Sequence, residues 1–179
     1  MQNVDYDRRQ YAVYSSGRVL DPEQIEAWMR TFAAHCPSRR PLTVLDLGAG
    51  TGRLTPALAR TFGGPVHGVE PSERMREVAV RSAAADGVTY LAGSAERIPL
   101  PDRSCDVVLM FYVVHHVQDR PAAAAEIARV LRPGGRVLIR STFSDRLPQK
   151  PWYRFFPRAV ELEKAMFPTL AEVVDAFAS

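Results

Sequence analysis

Cysteine and long apolar runs are scarce in this chain of 179 residues. The two cysteines, Cys36 and Cys105, do not have the spacing of a metal site or of a disulfide framework, so we expect no bound metal and a reducing environment. No apolar run reaches about 18 residues, and the polar N-terminus does not have the pattern of a signal peptide. The sequence therefore predicts a cytoplasmic protein with no membrane partner.

Lysine is also scarce, occurring only at Lys150 and Lys164, so the formal net charge of +3 comes mainly from arginine. The arginines are scattered among acidic residues, and no run of basic residues is longer than two. Proteins that bind nucleic-acid backbones usually cluster their positive charge on one face. We therefore expect no nucleic-acid partner.

Segments typical of strands and helices alternate along most of the chain. The patterns predict strands at 42–47, 65–70, 88–92, 105–111 and 136–141, and helices at 52–62, 72–84 and 119–131. Such alternation favours an α/β fold, a Rossmann-like doubly wound sheet of parallel strands covered by helices on both faces. A helix is also expected to begin at Asp21-Pro22, and a short amphipathic helix to occupy 171–178.

The stretch 45–55 carries the strongest signal for a ligand site. It has the pattern D-x-G-x-G-x-G, from Asp46 to Gly52, between a predicted strand and a predicted helix. A dinucleotide fingerprint would need its third glycine at position 53 or 55, which hold Arg53 and Thr55. Asp46 would repel a pyrophosphate and would suit a ligand with a cationic amine or sulfonium. Glu70, at the end of the second predicted strand, is placed to accept hydrogen bonds from ribose hydroxyls.

At this point the sequence resembles a known family, the class I S-adenosylmethionine-dependent methyltransferases, in particular the small-molecule type near the ubiquinone/menaquinone methyltransferases. The resemblance covers roughly residues 5–145 and rests on five motifs in the family's order. These motifs occupy 45–52, 69–75, 93–102, 105–119 and 131–139. The resemblance implies that S-adenosyl-L-methionine is the cofactor and S-adenosyl-L-homocysteine the product.

The resemblance also implies roles for individual residues of the cofactor site. Asp46 would hold the side of the methionyl amine, the backbone of 48–50 would follow the methionine moiety, and Glu70 would bind the ribose. Ser94 stands where the family often has Asp, so it would accept from the adenine amino group without a charge. Met75 either packs against adenine or is an ordinary core residue. The complete candidate set is Asp46, Gly48, Ala49, Gly50, Glu70, Pro71, Met75, Ser94, Ala95, Phe111 and Tyr11. Tyr11, with Tyr14, either forms a lid over the methionine end or has an ordinary packing role.

Two adjacent histidines, His115 and His116, follow the predicted end of the fourth strand. A histidine there could remove a proton from an acceptor hydroxyl, because its ordinary pKa lies near neutrality. The other interpretation is structural, with the pair packing the loop and the start of the next helix. Both histidines are candidate catalytic residues, and both interpretations stay open.

We divide the chain into an N-terminal helical lid or cap (1–40), a cofactor-binding Rossmann-like core (41–145) and a helical segment on the substrate side (146–179). The family's sheet has seven strands, and the last two form an antiparallel hairpin. Five strands are predicted here, so the hairpin is expected to be missing or to be exchanged with a second copy in a homodimer. An uncovered strand at 136–141 would otherwise favour aggregation.

The expected function is transfer of a methyl group to O, N or C of a small-molecule acceptor by in-line displacement. Two alternatives remain at this level. One is a non-methylating enzyme of the cyclase type that binds S-adenosylmethionine, and the other is an inactive, truncated binding module.

Overall fold

A computed structural model describes residues 20–147 and 150–178 of the chain. Five strands form one parallel sheet in the order β3-β2-β1-β4-β5. The strands are β1 (Leu42–Leu47), β2 (Gly63–Glu70), β3 (Val88–Ala92), β4 (Cys105–Phe111) and β5 (Leu131–Arg140). The predicted doubly wound sheet is therefore confirmed.

Six α-helices connect and flank these strands within the two described ranges. They are α1 (Pro22–Ala34), α2 (Thr55–Phe62), α3 (Glu73–Ser82), α4 (Arg120–Val130), α5 (Pro157–Met166) and α6 (Leu170–Phe177). Three short 3-10 turns lie at Val114–His116, Ser144–Arg146 and Pro151–Arg154. Side-chain caps from Asp21, Ser72 and Asp119 begin α1, α3 and α4, as N-cap chemistry favours.

Two elements begin three or more residues away from the predicted position, and the other boundaries agree within two residues. Helix α2 begins at Thr55 and not at 52, because Gly52 has a φ of +76° and belongs to the preceding loop. Strand β5 begins at Leu131, but the pairing shifts register before Val107 aligns with Arg136. The continuous ladder of β5 therefore starts at the predicted position 136, and an irregular segment precedes it.

Two hydrophobic clusters cover the two faces of the sheet. One contains Met29 and Phe32 of α1 and Leu58 of α2. The other contains Ile127 of α4 and Val173 of α6. Every residue of β4 from Cys105 to Met110 is buried, as expected for a central parallel strand.

A buried carboxylate holds the amino end of the sheet together. Asp106 Oδ1 lies 2.6 Å from Arg39 Nη2, and Asp106 Oδ2 lies 2.9 Å from Arg132 Nη1. The backbone N–H of Thr43 also donates to Oδ2, at 2.8 Å. These contacts link β4 to the start of β1, and they lie at the end of the sheet opposite the glycine loop.

Within the described ranges, β3 and β5 are the edge strands, and no sixth strand follows β5. No helix in those ranges is long and apolar enough to cross a membrane. The division into lid, core and substrate-side segment, and the exchanged hairpin, stay predictions.

Candidate functional site

The glycine loop leaves the carboxyl end of β1 and is tied to β2. The backbone N–H groups of Gly48 and Ala49 both donate to the carbonyl oxygen of Val69, at 2.7 and 3.1 Å. Gly48 and Gly50 have φ angles of +76° and +57°, which other residues rarely adopt. A Cβ on Gly48 would overlap the Val113 side chain, whereas a Cβ on Gly50 would meet, among residues 20–147 and 150–178, only Met75 Cε, at 3.8 Å. Gly50 therefore keeps one side of the loop open for close approach to its backbone.

This open side faces a pocket at the carboxyl end of the sheet. The structure brings five of the predicted site residues together on its wall, along with two that sequence reasoning did not include. The wall consists of Asp46, Gly48, Ala49, Gly50, Arg53, Leu54 and Phe111.

Asp46 is the buried charge of this pocket, with 3% of its surface exposed. Thr55 Oγ1 donates to Asp46 Oδ2 at 2.7 Å. Burial raises the pKa of Asp46 to about 6, with Glu70 adding to the rise and Thr55 and Arg53 opposing it. The folded chain therefore compensates the ionised carboxylate incompletely, and a cationic ligand would stabilise it.

Glu70 lies beside the loop at the end of β2 and is largely buried. Its Oε2 accepts from the N–H of Gly50 at 3.0 Å, and its Oε1 accepts from the N–H of Ser72 at 2.9 Å. Glu70 thus holds the glycine loop in position, a role that the sequence did not predict.

The other candidates occupy different positions. Met75 is buried on α3 below Gly50, and Pro71 is exposed between Glu70 and Ser72. Ser94 and Ala95 are not on the wall of the glycine-loop pocket. Ser94 and Arg97 exchange two backbone hydrogen bonds of 3.3 Å, and Ala95 is buried in the core. Tyr11 lies outside the described residues.

Helix α4 anchors the segment that contains Ser94 and Ala95. Glu126 Oε2 accepts from the N–H of Ile98 at 2.8 Å, and Arg129 donates to the carbonyl oxygens of Ile98 and Leu100, at 2.9 and 2.8 Å. Arg129 also pairs with Glu126, and these hydrogen bonds lower the pKa of Glu126 to about 2.

A second, larger pocket of about 650 Å³ lies at the carboxyl ends of β4 and β5. Phe111 belongs to the wall of the glycine-loop pocket, and its neighbour Tyr112 belongs to the wall of this one. We call this second pocket the strand-end pocket. Its wall consists of Tyr112, His115, Arg140, Ser141, Thr142, Phe143, Arg146, Lys150, Glu163, Met166 and Phe167.

Only one of the two candidate histidines is on this wall. His115 lines the strand-end pocket, and its ring centroid lies 4.8 Å from that of Phe167. His116 is not on the wall, and its ring packs against His115 with centroids 4.0 Å apart. The structure therefore distinguishes two adjacent histidines that the sequence alone could not rank as candidates.

Arg53 and Arg140 line these pockets and Thr55 contacts Asp46, and none of the three was among the residues predicted from the sequence. Arg53 follows the last glycine of the loop directly, so its position was a usable signal. Thr55 and Arg140 lacked such a signal, because their contacts with Asp46 and with the rings around the strand-end pocket depend on folding.

The proteins that this chain resembles in sequence are methyltransferases by name. A family model described as a methyltransferase domain matches residues 45–139. An uncharacterized methyltransferase of Mycobacterium tuberculosis strain H37Rv is 44% identical over 135 residues, which cover 75% of this chain and 51% of that protein. A demethylmenaquinone methyltransferase of Symbiobacterium thermophilum is 37% identical over 144 residues, covering 77% of this chain and 55% of that protein.

A solved structure that this chain resembles is also named as a methyltransferase. A putative methyltransferase from an antibiotic biosynthesis pathway of Anabaena variabilis matches with a TM-score of 0.75 and 27% identity. That match covers 85% of this chain and 59% of the other. The chain spans about half the length of the curated relatives it matches.

Proposed function

Because this chain belongs to the methyltransferase-domain family, with the fold of its S-adenosylmethionine-dependent members, we propose that it transfers the methyl group of S-adenosyl-L-methionine to a small-molecule acceptor by in-line displacement. One relative is named for demethylmenaquinone, which is a small molecule. That name supports the acceptor class and leaves the identity of this chain's own acceptor open.

The observation that carries the proposal is the environment of Asp46. Its carboxylate is buried beside the open face of the glycine loop, and this burial raises its pKa to about 6, with the nearby Arg53 opposing the rise only in part. A cationic amine or sulfonium is the ligand chemistry that such a carboxylate favours. A pyrophosphate at this position would face the same negative charge and would be repelled.

The remaining residues of the site fit the other parts of the cofactor. Gly50 allows the methionine moiety to approach the backbone, and the carboxylate of Glu70, at the end of β2 beside the loop, suits ribose hydroxyls. Met75 supplies an apolar contact beneath the loop, and Ser94 and Ala95 follow the neighbouring strand β3. When bound, the cofactor supplies an activated methyl group whose leaving group is a neutral thioether.

The chain's own contribution to the reaction is alignment and the exclusion of water. Holding two reactants in line can supply several kcal/mol of the barrier reduction. Phe111 and Tyr112, which are adjacent in the chain, connect the wall of the glycine-loop pocket to that of the strand-end pocket, so we assign the acceptor to the strand-end pocket. An acceptor with a protonated hydroxyl needs a base, and we assign that role to His115, with His116 as the residue that packs against it.

The test combines cofactor binding with turnover. Calorimetry should show that the wild-type chain binds S-adenosylmethionine, and that Asp46→Asn and Glu70→Gln bind it about 10 to 100 times more weakly, since each removes a charged acceptor. Glu73→Gln is the matched control, because Glu73 is exposed at the start of α3 and close to Glu70 in the chain.

Formation of S-adenosylhomocysteine in the presence of an acceptor panel is the second readout. Unchanged affinity in both site variants would overturn the site assignment. Tight binding of the cofactor without formation of S-adenosylhomocysteine across the panel would contradict methyl transfer and favour a non-methylating enzyme or a binding module.

A further inference from the structure

Arg140, the last residue of β5, lies among three aromatic rings. Its guanidinium carbon is 4.0 Å from the ring centroid of Tyr112, 5.0 Å from that of Trp28 and 5.8 Å from that of Phe111. These distances are typical of cation–π contacts. The rings come from α1 and from the end of β4, so the tertiary fold fixes the guanidinium on the wall of the strand-end pocket.

The hydrogen-bonding capacity of Arg140 is almost unused. A guanidinium has five N–H donors, and within residues 20–147 and 150–178 only one bond is formed, from Nη1 to the carbonyl oxygen of Ser141 at 3.3 Å. No carboxylate of those residues lies within 4.0 Å of it. Ring contacts use the faces of a planar guanidinium, and its N–H edges stay available for a bidentate anion.

The backbone next to Arg140 is strained in a way that holds this arrangement. Tyr112 has a φ of +59°, which is a genuine outlier for a bulky residue. Its N–H donates to the carbonyl oxygen of Arg140 at 2.7 Å, which joins the ends of β4 and β5. Such strain persists where the surrounding structure fixes it, and it is concentrated at ligand sites.

The other charges of the strand-end pocket do not neutralise Arg140. Glu163 is the acidic residue of the wall, and both of its oxygens accept from Lys150 Nζ, at 2.6 and 2.7 Å. Tyr153 also donates to Glu163, at 2.6 Å. The positive charge of Arg140 is therefore left facing a pocket whose wall also contains Tyr112, Phe143 and Phe167.

We propose that Arg140 binds the acidic group of an aromatic acceptor, so that the substrate class is an aromatic acid whose carboxylate pairs with the guanidinium. This inference rests on the proposed function, because it assumes that the acceptor occupies the strand-end pocket. The aromatic walls stack against the ring of the acceptor, and the paired charge orients the ring toward Phe111 and the glycine-loop pocket. Arg140 is thus a specificity-determining residue.

The experiment compares two probes that differ in charge and hardly in shape, 4-hydroxybenzoate and 4-hydroxybenzamide. Their dissociation constants are measured by calorimetry on the protein saturated with S-adenosylhomocysteine. The wild-type protein should bind the acid at least about tenfold more tightly than the amide, since hydrogen bonds to charged groups are the stronger ones. Arg140→Gln should reduce this ratio to about one, and Arg140→Lys should leave an intermediate ratio, because it keeps the charge and loses the bidentate geometry.

Arg136→Gln is the matched control. Arg136 lies on the same strand, four residues earlier, at the start of the continuous ladder and away from the strand-end pocket, so this variant should keep the wild-type ratio. Equal binding of acid and amide to the wild-type protein, binding of neither, or an unchanged ratio in Arg140→Gln would overturn the proposal.

Measuring the binding of S-adenosylhomocysteine to each variant distinguishes a wrong assignment of Arg140 from a wrong proposed function. If the wild-type protein does not bind S-adenosylhomocysteine, the proposed function fails. If it binds S-adenosylhomocysteine and does not prefer the acid, only the role of Arg140 is wrong. Retained affinity for S-adenosylhomocysteine in Arg140→Gln also shows that the variant is folded.

Discussion

Replacing Asp46 with asparagine should stabilise the empty protein while weakening its cofactor site. The pKa of Asp46 rises from 3.8 to about 6 on folding, and each pKa unit corresponds to about 1.4 kcal/mol. The ionised carboxylate therefore reduces the free energy of unfolding by about 3 kcal/mol at pH 8. Asparagine has nearly the same shape, it can still accept from Thr55, and it carries no charge to be buried.

The pH dependence of this gain follows from the direction of the shift. Because the folded state holds the Asp46 proton more tightly than the unfolded state, stability from this group is complete below pH 3.8 and is lost as the pH rises through about 6. The advantage of Asp46→Asn should thus be about 3 kcal/mol at pH 8 and roughly half of that at pH 5. Affinity of the wild-type protein for the cofactor should fall below pH 6, as Asp46 becomes protonated, and that of the variant should not.

Urea unfolding followed by circular dichroism at pH 5 and pH 8 measures the stability, and calorimetry at the same pH values measures the affinity. Asp86→Asn is the control, because Asp86 is exposed in the turn before β3. A variant that is no more stable at pH 8 than the wild-type protein, or whose gain does not depend on pH, would refute the reasoning about burial. A stabilised variant with unchanged cofactor affinity would refute the assignment of Asp46 to the site.

Three further predictions concern Gly50 in the glycine loop and the two structural carboxylates Glu126 and Asp106. Gly50→Ala should cost about 1 to 2 kcal/mol of unfolding free energy in urea, because of the φ of +57°, and should weaken cofactor binding in calorimetry by more than that, because its Cβ enters the open side of the loop. Glu126→Gln should lose about 1 to 2 kcal/mol of thermal or urea stability through its weakened pairing with Arg129, and the difference should shrink as the pH falls from 5 toward 2. Asp106→Asn should lose about 2 kcal/mol, since one oxygen cannot serve Thr43 and two guanidinium groups together, and calorimetry should show unchanged cofactor affinity.

Local sequence pattern was sufficient to predict the strands of this fold. The apolar run from Val107 to Phe111 is too continuous for a strand with one exposed face, and the predicted range of β4, 105–111, is the observed one. The first part of β5 was missed because its pairing with β4 is interrupted by a register shift. Such a shift depends on the neighbouring strand as well as on the segment's own residues.

The candidate site, too, was predictable only where it depends on local sequence. Asp46, Gly50 and Glu70 were predicted because they lie at fixed offsets within contiguous motifs, where the strand-loop-helix order determines the geometry. The surroundings of Arg140 could not be predicted, since Trp28 reaches it from α1 and Tyr112 reaches it through a left-handed backbone conformation. Contacts between segments that are far apart in the chain cannot be predicted from the residue spacing within either segment.

Two buried aspartates lie at opposite ends of the sheet and differ in how far the protein compensates their charge. Asp106 and Asp46 are 2% and 3% exposed. Burial alone would raise the pKa of both, but hydrogen bonds from Arg39, Thr43 and Arg132 bring that of Asp106 below its usual value, whereas Asp46 has one hydroxyl donor and a raised pKa.

A carboxylate that serves stability is compensated by the protein itself. One that is kept for a ligand has to stay incompletely compensated, because only then does a bound cation gain from pairing with it. The opposite directions of the two pKa shifts at similar exposure are therefore the basis on which we propose Asp46, and not Asp106, as the ligand-binding acid, and the two asparagine variants should accordingly change stability in opposite directions.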